Sequence, residues 1–108
     1  MNGFPLWGIY LYEASSSCNV ALALSDDPSK VLGSLGLVGL KQEEFDKALA
    51  DYDAAHQAKP EDASFLYGRG IAALRLGRKA EGNADIAAAM MLDRKIGETF
   101  SSYGVLAQ

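Results

Sequence analysis

The chain has 108 residues, 49% of them apolar and 22% charged, enough apolar matter for one buried core and too little chain for two ordinary domains. Ten Lys and Arg against fourteen Asp and Glu leave a net charge of −4, which excludes a surface built mainly to neutralise phosphates; no nucleic acid is expected as a partner. One cysteine, Cys18, and one histidine, His56, leave no intrachain disulfide and no ligand set for a structural metal, and no cofactor is expected. A reducing cytoplasm is the default compartment, with periplasmic or secreted placement left open.

From Met1 to Tyr12 the sequence is apolar, but no Lys or Arg precedes the run, Pro5 and Gly8 interrupt it and Glu13 closes it. A secretory signal is therefore not expected. Asp27-Pro28 reads as an N-cap with proline in the first turn, where its missing N–H costs nothing. Leu32, Leu35, Gly36 and Leu40 then fall on one helical stripe. The uncharged run from Val31 to Leu40 is ten residues, about half of what a membrane-crossing helix needs, so no membrane is expected. Phe45, Ala48, Leu49, Tyr52, Ala55 and His56 predict a second helix, supported by Glu43/Lys47 and Lys47/Asp51 one turn apart. Pro60, Glu61 and Asp62 repeat the opening punctuation, and Gly77 suits a left-handed helix end.

The chain resembles itself at an offset of 34 residues. Gly36, Gly70 and Gly104 coincide, as do Ala21, Ala55 and Ala89, and Ala14, Ala48 and Gly82. Large positions stay large, with Leu32, Leu66 and Phe100 in one register and Cys18, Tyr52 and Ile86 in another. A fixed period of this length is the mark of stacked helical hairpins. Glycine inside a helix costs about 1 kcal/mol relative to alanine, so Gly36, Gly70 and Gly104 are expected to admit a neighbouring helix close to their backbone.

These residues resemble the tetratricopeptide repeat family, in its small bacterial-type form. Leu32, Leu35, Gly36, Ala48, Tyr52, Ala55 and Pro60 fill the family's pattern. A second copy uses Leu66, Gly70, Gly82, Ile86 and Ala89, with Arg69 where the family has leucine and Arg94 where it has proline. Leu11, Ala14, Cys18 and Ala21 look like the second helix of a preceding unit, and Phe100, Tyr103 and Gly104 like the first helix of a following one. The resemblance implies an all-α, right-handed solenoid forming one domain. A half unit at 6–25 is followed by complete units at 28–59 and 62–94 and a closing helix at 96–106.

The resemblance also implies a concave groove that holds a peptide or helix. Its facing residues would be Lys30, Gly33, Leu37 and Leu40 from one unit, and Ser64, Tyr67, Ile71, Leu74 and Arg75 from the next. Arg75, Arg78 and Lys79 would form a basic edge favouring an apolar or mildly acidic protein segment. A groove two units long also admits filling by another copy of the chain or by the terminal segment. The family's carboxylate clamp is not expected, because Gly33, Leu37, Gly68 and Ser102 stand around its places. Arg69 should pair with Asp51 or Asp85 on successive second helices. His56 near Asp53 lacks a nucleophile, Asp51-x-Asp53 lacks the rest of a calcium loop, and Gly33-x-x-Gly36-x-x-Gly39 lacks a phosphate loop's lysine. An enzyme is not expected. Two classes remain, a non-catalytic interaction scaffold and an assembly module that self-associates through its apolar N-terminal helix and groove. Charged residues at Tyr67 and Ile71 should separate them.

Overall fold

The computed structural model describes residues 27–107. The expected half unit at 6–25, Cys18 and the N-terminal contact for self-association lie outside them. Among the described residues every regular element is an α-helix: α1 (Pro28–Lys41), α2 (Phe45–Ala58), α3 (Ala63–Arg75), α4 (Lys79–Leu92) and α5 (Ile96–Ser102). The fold is all-α. Each helix packs on the next in sequence, α1 also touches α3, and α3 also touches α5.

Helix starts follow local chemistry. Pro28 opens α1, and Asp62 caps α3 by accepting the Ser64 backbone N–H at 2.9 Å. Asp27 precedes α1 but does not cap it through its side chain. Its carboxylate instead accepts from the Ser29 hydroxyl and from Lys59 Nζ at 2.9 Å, tying the start of α1 to the end of α2.

The ends of α1, α3 and α5 share one device. After α3, Gly77 has φ +85°, its N–H donates to the Leu74 carbonyl and the Arg78 N–H donates to the Ala73 carbonyl, the Schellman arrangement. After α1 the same pair of bonds runs from Glu43 to Leu40 and from Glu44 to Gly39, with Glu43 at φ +61°. After α5 it runs from Gly104 to Ser101 and from Val105 to Phe100. α5 therefore stops at Ser102, short of the expected 106, because Gly104 turns left-handed at φ +84°.

The core is built on a register that the period anticipates. An added Cβ at Gly36 would stand 2.7 Å from the Tyr52 ring, and one at Gly70 would stand 2.8 Å from Ile86 Cγ1 and 2.9 Å from the Gly82 carbonyl oxygen. Residues 34 apart thus meet partners 34 apart, and the missing side chains are where neighbouring helices come closest. Gly104 does not share this role, since an added Cβ there would meet nothing within 4 Å. Its place in the chain is a helix stop. Tyr52 also lies against Gly68, so its ring is held between the backbones of α1 and α3. Around it, Leu40, Ala48, Ala55, Leu66, Tyr67, Ile71, Ala89 and Phe100 form one buried cluster.

Candidate binding cleft

Residues of α1, α3 and the segment from Phe100 to Leu106 line two clefts. The first, about 270 Å³, is lined by Lys30, Gly33, Ser34 and Leu37 of α1, Tyr52 of α2, Ser64 and Phe65 of α3, and Phe100 and Tyr103, with Asp62 at its edge. Phe65 occupies the space that a side chain at Gly33 would fill, since an added Cβ there would lie 2.5 Å from its ring. The second, about 210 Å³, is lined by Leu40, Lys41, Glu43, Phe45, Ile71 and Arg75, and by Gly104, Val105 and Leu106.

Seven of the nine residues expected to face a groove line these clefts: Lys30, Gly33, Leu37 and Ser64 the first, Leu40, Ile71 and Arg75 the second. Tyr67 and Leu74 do not. Tyr67 is 6% exposed and packs on Phe100 with ring centroids 4.8 Å apart. Leu74 lies against Gly82 of α4, where an added Cβ would come 2.7 Å from its Cγ. Ile71 is 1% exposed. Charges at Tyr67 or Ile71 would therefore test folding before binding. The exposed lining is Lys30, Ser34 and Tyr103 in the first cleft and Lys41, Glu43, Arg75, Gly104 and Leu106 in the second, with Leu37, Phe45, Asp62 and Ser64 half-buried.

Arg75 is held at two points. Its guanidinium lies 5.9 Å from the centre of the Phe45 ring, and one of its N–H groups donates to the Leu106 carbonyl at 3.1 Å. Arg78 does not join Arg75 as a second cation of the cleft. It lines a different cavity, between α2 and α4, and approaches Glu81 at 3.9 Å.

That α2/α4 cavity, about 560 Å³, has Arg69 in its wall beside Asp46, Asp53, Glu81 and Asp85. Arg69 gives Nε and one terminal nitrogen to Asp85 at 2.8 and 3.0 Å, and its other terminal nitrogen to Asp53 at 2.8 Å. The Asp85 hydrogen bond, first among several causes, raises the guanidinium pKa further. Of the two aspartates expected as partners, Asp85 is the one engaged; Asp53 takes the second place because two residues along a helix turn the side chain to the opposite side. Asp51 is 4% exposed, and burial pushes its carboxyl up to about 6 against the pull of Lys47. The Asp53 carboxylate also accepts from Gln57 at 2.9 Å. His56 Nδ1 is buried without a hydrogen-bond partner among the described residues.

Sequence reasoning missed Phe45, Phe65, Val105 and Leu106 as cleft residues. For Val105 a signal exists: an apolar residue following a helix-ending glycine packs back on the last turn of a Schellman motif. Phe65 has none, because at the same register one unit earlier stands Val31, which lines neither cleft. No group of His, Cys, Asp and Glu able to hold a metal occurs among the described residues, and no helix among them is long and apolar enough to cross a membrane. Compared with protein-family models, curated proteins and solved structures, the chain has no match.

Proposed function

We propose that this chain is a tetratricopeptide-like helical-hairpin solenoid that works as a non-catalytic scaffold, holding an extended protein segment along the α1/α3 face. The observation that carries the reading is the first cleft. Phe65, Phe100 and Leu37 supply an apolar floor, and Lys30, Ser34, Ser64 and Asp62 supply polar groups at its rim. An apolar floor with few oriented polar groups is how grooves take peptides. The equivalent packing of Gly36 on Tyr52 and Gly70 on Ile86 supports the solenoid part of the reading.

The test uses the exposed lining in place of the core. Peptides selected on the full chain from a displayed library are titrated against wild type and against Leu37→Glu and Ser34→Arg, with mass followed by light scattering. Loss of about tenfold or more in affinity at unchanged mass is the expected result. A library that yields no peptide, with variants that change mass, would replace this reading by self-assembly.

A further inference from the structure

The second cleft already has an occupant. Val105 belongs to no helix, yet it is 8% exposed and part of the buried cluster that contains Leu40 and Ile71. Residues outside regular structure ordinarily run over the surface, because their backbone groups need partners. Here the partners are supplied. The Val105 N–H donates to the Phe100 carbonyl and the Leu106 carbonyl accepts from Arg75. Gly104, at φ +84°, aims the chain back across α3. The side chain of Leu106 stays 60% exposed while Ala107 packs against the same cluster, so the contact consists of the apolar side chains of Val105 and Ala107 and one main-chain carbonyl.

We infer that Gly104–Ala107 is an internal ligand of the α1/α3 face, and that the second cleft, once vacated, accepts in trans an uncharged, extended apolar segment of the same chemistry. This rests on the reading of that face as a peptide groove. Three features define the partner. Arg75 reads a main-chain carbonyl, which any extended segment offers. The wall of Leu40, Phe45 and Ile71 takes an apolar side chain next to it. About 210 Å³ of the cleft remains beside Val105, so a residue larger than valine, such as leucine or phenylalanine, fills it better and displaces the resident segment.

The experiment uses the full chain and a fluorescein-labelled heptapeptide of residues 102–108, SYGVLAQ, with a second peptide carrying Val105→Phe. Binding is read by fluorescence anisotropy. Val105→Asp ejects the segment by placing a carboxylate against apolar walls, and Gly104→Val ejects it through the turn, because a β-branched residue at that φ is strained. Both variants are expected to bind the heptapeptide about tenfold or more tightly than wild type, since the fraction of open cleft rises. The Val105→Phe peptide should bind more tightly than SYGVLAQ, and Arg75→Ala added to Val105→Asp should weaken both peptides. Doubled mass of Gly104→Val that the heptapeptide reverses would also support the inference, as exchange of the segment between copies.

If either variant keeps the helical circular dichroism of wild type and binds the peptides no better, the internal-ligand inference is overturned. The groove reading then stands or falls separately, on whether library-selected peptides bind wild type and lose affinity in Leu37→Glu.

Discussion

Asp51 and Asp85 stand one 34-residue unit apart, and only Asp85 has a guanidinium in its grasp among the described residues. The difference traces to one position, for Leu35 stands where the next unit has Arg69. A buried carboxyl without that cation is held near pKa 6 by desolvation, well above its ordinary 3.8. Because the folded-state value is the higher one, the folded chain binds more protons between about pH 4 and pH 6. Stability falls as pH rises through that window and levels off above it. Asp27 works the other way. The Ser29 hydroxyl, then the Lys59 ammonium, hold it down to about 2, so its contribution is present above about pH 4 and is lost as pH falls toward 2. Asp51→Asn should match wild type near pH 4 and exceed it by about 1–3 kcal/mol above pH 7, as read from urea midpoints. Equal differences at the two pH values would show that Asp51 is not the titrating group.

At the scale of elements, the three turns of the Schellman type differ in how well their residues suit them. Gly77 and Gly104 carry the left-handed conformation without penalty, whereas Glu43 holds φ +61° with a Cβ in the way. Glu43→Gly is therefore expected to raise stability by about 0.5–1.5 kcal/mol, measured by thermal or urea unfolding, even though the residue is exposed. The positions of α1 to α4 were legible in the sequence because apolar spacing, Pro28, Asp62 and Gly77 all mark them at the same places. α5 was legible at its start but not at its end. Gly104 fits two roles, a packing gap by its 34-residue register and a helix stop by the Val105 that follows it, and the stop prevails. The same ambiguity hid part of the candidate cleft. Register located Lys30, Leu37, Ser64 and Arg75 on it, but the occupancy by Val105 depends on a turn outside the repeat, and the aromatic lining depends on side-chain size at positions the repeat leaves free. Leu74 went astray because Gly82 opens space for it toward α4.

For the molecule as a whole, one apolar strip stays uncovered among the described residues, for the end of α4 presents Met90, Met91 and Leu92 to solvent at 45%, 87% and 52% exposure. What joins the described part into one body is the seam around Tyr52. An added methyl at Gly68 would drive into that ring, so Gly68→Ala should lower stability by about 1–3 kcal/mol despite alanine's better helix propensity, with loss of cooperativity in the urea transition if α1 and α3 part first. Left intact, the seam gives the protein a clock. A phenol ring packed against helix backbone at both Gly36 and Gly68 can make a half-turn about its own axis only when the helices momentarily draw apart. The paired ring protons of Tyr52 should then give separate resonances at temperatures where those of Tyr103, 41% exposed, have merged, and the rate at which they exchange would time the breathing of the helices around it.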